Sequence, residues 1–204
     1  MIKENTMEEQ ILAAAKELFL QNGYDGVSTT LVAKKVGCNQ ALVHYYYRTK
    51  QNLFKIVFLE EIKRVTARLN DIPQGEISFE DFVGHIIDTQ VEFLQENMNI
   101  PFLIIGELRN NSEAIELMQS SCSEEIKKIR AKFQSFLDKK RENGELGEVV
   151  AEQLFLDILS LNVFPFMTQL FFSKVWGMTK EEQKEFFEKR KEHVKKVIIA
   201  SVKA

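Results

Sequence analysis

"STTLVAKKVGCNQALVHYYYRTK", residues 28–50, holds the reading that decides the fold. Ser28 can accept a hydrogen bond from the first turn of a helix, so it predicts a short helix over Thr29–Val36 that Gly37 ends. Asn39 repeats the signal and predicts a second short helix from Gln40 to about Tyr46. Val32 and Val36 on the first helix and Val43 on the second face inward. Ala33 is small where the helices cross, and Gly37 permits the left-handed backbone of a tight turn. This is the spacing of a helix-turn-helix. Such a crossing holds the second helix proud of the domain, where its outer face can enter a major groove about 12 Å wide.

That outer face offers Gln40, Ala41, His44 and Tyr45, with Asn39 at its start. Glutamine suits adenine edges and a small alanine suits a thymine methyl, while hydroxyls, imidazole and ammonium groups suit phosphate oxygens. Thr29, at the start of one helix, and Lys50, at the start of the next, flank the face with backbone N–H groups that favour an anion. The charge pattern agrees. Between Gly26 and Leu59 the charged residues are Lys34, Lys35, Arg48, Lys50 and Lys55, a local +5 in a chain of net charge −3, which leaves −8 on the remainder. A polyanion feels the local patch and not the average.

Working outward, Thr6 with Glu9 fits a capping box, and Ile11, Leu12, Ala15, Leu18 and Phe19 recur at helical spacing until "NGYDG". Thr49 caps a long fourth helix that runs through Leu53, Ile56, Val57 and Leu69 until "NDIPQG" breaks it near Pro73. Ser78 with Asp81 opens a fifth, and a short sixth runs from Pro101 to about Arg109. A seventh runs from near Glu113 through Phe133 and Phe136 to "ENGELG". The eighth, from Val149 to about Val175, is apolar on nearly every side, which a single core face cannot absorb, so burial on two sides is expected. Thr179 with Glu182 starts the last. No segment alternates like a strand.

Residues 11–54, "ILAAAKELFLQNGYDGVSTTLVAKKVGCNQALVHYYYRTKQNLF", resemble the DNA-binding domain of the TetR family of bacterial transcriptional regulators. The resemblance covers about the first quarter of the chain; the rest matches only in helical layout and length. It implies an all-α protein of about nine helices. A helix-turn-helix domain over 1–52, with the motif itself at about 28–47, would join through the fourth helix to a C-terminal ligand-binding and dimerisation domain over 53–204. It implies a ligand-responsive repressor that binds a palindromic operator in double-stranded DNA as a homodimer. The family's phosphate anchors fall on Thr29, Tyr45, Tyr46 and Lys50, and its base-reading helix on Asn39 to Tyr45. Two positions depart: Leu42 stands where the family has threonine or serine, and His44 where it has tyrosine. Tyr47 fills an aromatic core position. If His44 gains a phosphate partner in the complex, operator affinity should rise as pH falls from about 8 to 6.

The expected C-terminal pocket for a small apolar inducer involves Phe102, Phe133, Phe136, Asn162, Phe166 and Met167, with Pro165 freeing a carbonyl. Phe155, Leu159, Phe187, Val194 and Ile198, on the last two helices, are the expected dimer contacts. Cys38 and Cys122 lie far apart and "MIKENTMEEQ" lacks the apolar core of a secretory signal, which points to the cytoplasm. Ile158 to Ser173 reads as too short and too polar to span a bilayer, so no membrane partner is expected. His44, His85 and His193 are scattered, which argues against a metal site; no cofactor loop or catalytic grouping stands out, so no enzyme is expected. A protein-interaction regulator with a degenerate helix-turn-helix, which Leu42 keeps open, and an activator of the same family are the alternative readings.

Overall fold

Capping boxes fix two of the helix starts. The Thr6 hydroxyl accepts from Glu9 N–H at 3.3 Å while the Glu9 carboxylate accepts from Thr6 N–H at 2.8 Å, and Thr179 with Glu182 repeats the pair at 3.2 and 2.8 Å. In each case two N–H groups that have no partner inside the helix are satisfied. The computed structural model describes residues 6–70, 76–110 and 112–202, so the break expected at Pro73 lies outside the described residues. Among these the fold is all-α: α1 (Met7–Asn22), α2 (Thr29–Val36), α3 (Gln40–Tyr47), α4 (Lys50–Leu69), α5 (Phe79–Glu96), α6 (Ile100–Asn110), α7 (Ser112–Glu142), α8 (Ala151–Val175) and α9 (Lys180–Ser201).

The described chain packs as two compact units. The first comprises residues 1–64 and 99–122. Its core gathers Ile11, Ala15 and Phe19 from α1, Val32 and Ala33 from α2, Val43 and Tyr47 from α3, and Leu53, Phe54, Val57 and Phe58 from α4, with Leu103, Ala114 and Cys122 added from α6 and α7. Phe54 meets Phe19 and Tyr24 edge-on at 5.0 and 4.9 Å between ring centres. This division differs from one at 52/53 because the apolar stripe of α4 stays in the first core as far as Ile62. Glu61, fully buried, is held there by Lys16 and by Arg64 at 2.8 Å. A buried carboxylate needs such partners to offset its lost hydration.

The second unit, residues 65–98 and 123–204, is built on α5, α8 and α9 with the later part of α7. Phe82, Ile87, Leu94, Phe133, Leu137, Leu154, Ile158, Phe166, Phe187, Val194 and Ile198 form its core. Lys195 on α9 reaches Asp88 on α5 at 3.0 Å. Burial pulls its ammonium pKa down, but Asp88 and then Glu192 outweigh that and raise it. Pro165 does not break α8. Lacking an N–H, it leaves the Leu161 carbonyl without its helical donor, and Arg190 Nη2 from α9 donates to that oxygen at 3.1 Å.

Two expectations need correction. Phe187, Val194 and Ile198 are almost completely enclosed within the protomer, so they are core residues and not dimer contacts. The reason is that α9 turns its one apolar face onto α5 and α8. Within one chain α8 buries Ala151, Leu154, Ile158, Asn162 and Phe166, while Phe164, Leu170, Phe171 and Val175 are each at least 60% exposed. Finally, α8 taken whole is long and apolar enough, by length and composition, to cross a membrane. The uncharged run Ile158 to Ser173 is only part of it; the full helix adds about two turns before Ile158 and two residues after Ser173, and its buried stripe packs within the bundle.

Candidate nucleic-acid interface

The motif forms as its sequence requires. Ser28 Oγ accepts from Leu31 N–H at 3.1 Å and opens α2. Gly37, at φ 78° and ψ 27°, closes it, with the Cys38 N–H reaching back to the Ala33 carbonyl at 3.0 Å. That left-handed conformation strains any residue with a Cβ. Asn39 Oδ1 accepts from Ala41 N–H at 3.0 Å and opens α3. Asn39 therefore commits its oxygen to the helix and keeps its NH2 for a partner. Val32, Ala33 and Val43 fill the crossing, which leaves Gln40, Ala41, His44 and Tyr45 exposed on α3. Tyr45 is 68% exposed. Its ring meets that of Tyr46 edge-on at 5.2 Å, and Tyr46 is half-buried against the core.

Tyr47 points the other way. Its ring is buried and its hydroxyl donates to the Glu8 carbonyl at 3.0 Å, so it is packing, as expected. Burial first, then the negative charge of Glu8 and Glu60, pushes the phenol up to about 12. Leu42 is half-buried and brings no polar atom.

The exit from α3 is unusual. Arg48 has φ 64° and ψ −61°, the one described non-glycine residue at positive φ, and Thr49 N–H donates to the Tyr47 carbonyl at 2.7 Å. This is a γ-turn of the strained, positive-φ kind. Asn52 Nδ2 donates to the same Tyr47 carbonyl at 3.1 Å, and His44 Nδ1 lies 2.9 Å from the Arg48 carbonyl. The other side of the His44 ring joins a polar cluster: its Nε2 is 3.2 Å from Gln40 Nε2 and 3.4 Å from Thr29 Oγ1, and Gln40 Nε2 donates to Thr29 Oγ1 at 2.9 Å.

The basic patch is smaller in space than in sequence. Lys35 pairs with Glu17 of α1 at 2.6 Å, and that hydrogen bond holds the Glu17 carboxyl below its usual range. Lys50 places its ammonium 4.1 Å from the centre of the Tyr24 ring, a cation–π contact that leaves the charge at the start of α4.

Residues 11–57 match the family model described as bacterial regulatory proteins, tetR family. These residues form a helix-turn-helix domain of the TetR family. Among similar proteins is the HTH-type transcriptional regulator QacR of Staphylococcus aureus, 38% identical over 58 residues, which is 28% of this chain and about a third (31%) of QacR. The fatty acid metabolism regulator protein of Bacillus subtilis is 22% identical over 139 residues, 68% of this chain and 70% of that protein. The solved structure of the transcriptional regulator FadR from Bacillus subtilis in complex with stearoyl-CoA superposes with a TM-score of 0.66 at 18% identity, covering 93% of this chain and 96% of that one. A tetR-family regulatory protein from Rhodococcus gives 0.68 at 19% identity, covering 95% and 98%. At these identities the structural likeness concerns the fold.

Within this TetR-family helix-turn-helix domain and its flanks, Thr29, Asn39, Gln40, Ala41, His44, Tyr45, Tyr46 and Lys50 all lie in the first unit, on or beside α3. What the sequence did not reveal is the linkage of Thr29, Gln40 and His44. The i, i+4 spacing of Gln40 and His44 is visible in it; the approach of Thr29, on another helix, is not.

The six expected pocket residues are divided between the two units. Phe102 belongs to the first unit and the other five to the second. Phe133 and Phe136 stack on Phe82 at 5.2 and 4.0 Å, and Phe166 stacks on Phe187 at 4.2 Å, so these rings are engaged in core contacts. Met167 is half-buried. Asn162 is buried and donates to Gln90 Oε1 at 2.7 Å, while its own Oδ1 is buried with no hydrogen-bond partner, as is Arg190 Nε. A cleft of about 520 Å³ lies along α7, lined by Lys127, Arg130, Gln134, Ser135, Asp138 and neighbours. It is charged and open, unlike an apolar pocket.

Proposed function

We propose that the protein is a homodimeric, ligand-responsive repressor of transcription in the cytoplasm and that it binds a palindromic operator. Gln40, Ala41, His44 and Tyr45 read the major groove from the helix that Asn39 opens, and Thr29, Tyr45, Tyr46 and Lys50 hold the phosphate backbone. The observation that carries this reading is the exposed face of α3. It is raised by the crossing over Ala33, is free of carboxylates, and is flanked by the starts of α2 and α4.

Dimerisation uses α8, where Phe164, Phe171 and Val175 share one exposed side. A two-fold dimer presents two reading heads, which must stand about 34 Å or a multiple of it apart to meet successive half-sites. The inducer binds in the second unit near Asn162, whose unpartnered oxygen suits the polar group of an otherwise apolar molecule. The likeness to FadR, solved with stearoyl-CoA, supports testing long-chain acyl compounds first. Binding there respaces the heads, and the protein itself performs no chemistry.

Selection of bound duplexes from a random pool tests the reading. Enrichment of a palindrome supports both DNA recognition and dimer symmetry. Enrichment of no sequence, or binding that is indifferent to salt, would favour a protein-interaction role instead. Asn162→Leu should abolish any thermal shift produced by a long-chain acyl probe; a shift of undiminished size would place the ligand elsewhere.

A further inference from the structure

We propose that His44 sets the base preference of Gln40, so that the protein accepts either adenine or cytosine at the position Gln40 meets, instead of adenine alone. This deepens the operator-binding reading and rests on it.

The Arg48 carbonyl can only accept, so His44 Nδ1, 2.9 Å away, carries the proton. In the neutral ring Nε2 then has only a lone pair, and whatever Gln40 places 3.2 Å from it must donate. The amide nitrogen donates and the amide oxygen cannot, so the orientation of Gln40 follows from the backbone of Arg48 through the imidazole. The same nitrogen donates to Thr29 Oγ1 at 2.9 Å. Nitrogen is thus turned in toward Thr29 and His44, and the oxygen is the end left on an exposed side chain.

A glutamine that selects adenine uses both ends, accepting from N6 and donating to N7. Here only the acceptor is offered. In the major groove the donors are the N6 amine of adenine and the N4 amine of cytosine, whereas guanine O6 and N7 and thymine O4 are acceptors that would face the Gln40 oxygen unfavourably. Turning the amide to recover the second bond would set its oxygen against the His44 Nε2 lone pair and forfeit the bond to Thr29 Oγ1, inside an interface from which DNA excludes water. His44 is therefore a positioning residue that widens the choice at one base pair from one base to two.

The test uses the full chain at pH 8, where an ordinary imidazole is neutral. Random-pool selection is run on the native protein, His44→Phe, Gln40→Ala and Gln40→Glu, each first shown to keep its thermal unfolding midpoint. Gln40→Ala identifies the position by making it indifferent. At that position the native protein should enrich adenine and cytosine to within about threefold of each other. His44→Phe frees the amide and should favour adenine over cytosine at that position by about tenfold. Gln40→Glu, which carries only acceptor oxygens, should keep the two-base preference and provides the answer should His44→Phe fail to fold. Adenine alone in the native selection, or an unaltered adenine-to-cytosine ratio in His44→Phe, overturns the proposal while leaving a palindromic operator intact. Absence of any palindrome overturns the operator reading itself, and the proposal with it.

Discussion

Three consecutive tyrosines have three different surroundings: Tyr45 is largely exposed, Tyr46 is half-buried and Tyr47 is enclosed. The resemblance to the family placed Tyr47 in the core, and its position one helical turn after Val43 is consistent with that. The hydrogen bond to Glu8, 39 residues away, could not be read from it. Tyr47→Phe should destabilise the protein by about 1 kcal/mol at neutral pH, measured by urea unfolding. Because the native phenol titrates at about 12 and an unfolded one near 10, the folded state retains its proton longer. Stability from this group is complete below pH 10 and declines as pH rises toward 12. Tyr47→Phe should flatten that decline, and an identical alkaline slope in both proteins would contradict the assignment. Lys50→Ala should weaken DNA binding on all sequences alike and reduce the slope of log affinity against log salt by about one. Lys35→Ala, whose ammonium is engaged by Glu17, should change it less. A sequence count of five basic charges treats these two lysines alike; the approach of α1 separates them.

At the scale of the helix, boundaries were legible because caps are local. Ser28, Asn39, Thr49 and Ser78 each accept from a backbone N–H two or three residues on, and that chemistry is written in a few consecutive residues. The turn at Arg48 was not legible, since nothing in "YYYRTK" requires positive φ in an arginine. It is held by His44 and Asn52 from either side. Pro165 shows the same limit. The freed Leu161 carbonyl follows from the sequence, but the donor that satisfies it, Arg190, comes from a different helix. Arg190→Met should therefore cost about 1–3 kcal/mol, as the oxygen is left without a partner. In a Pro165→Ala background, where the alanine's backbone N–H would supply the helical bond, the same change should cost less. Equal penalties in the two backgrounds, measured by denaturant unfolding in a double-mutant cycle, would rule out the link.

For the whole molecule, the exposed rings of α8 set the expectation. Phe171→Glu places a carboxylate on the side shared with Phe164 and Val175, and should shift the protein from dimer to monomer in sedimentation at micromolar concentration while its helical content is kept. A dimer of unchanged affinity would move the interface off α8. The apolar content of α8 announced in the sequence that one buried side was not enough. Which residues remain outside was decided by α9, which takes up Phe187, Val194 and Ile198 in the protomer's own core. By itself, then, the sequence determined the helices, the helix-turn-helix and the family, because periodicity, caps and the Gly37 turn act over a few residues. Only the tertiary structure decided that Lys35 is engaged by Glu17, that the first core extends along α4 to Ile62, and that Thr29, Gln40 and His44 share hydrogen bonds. Those outcomes depend on side chains from different helices meeting within hydrogen-bonding or packing distance, which no spacing along the chain encodes.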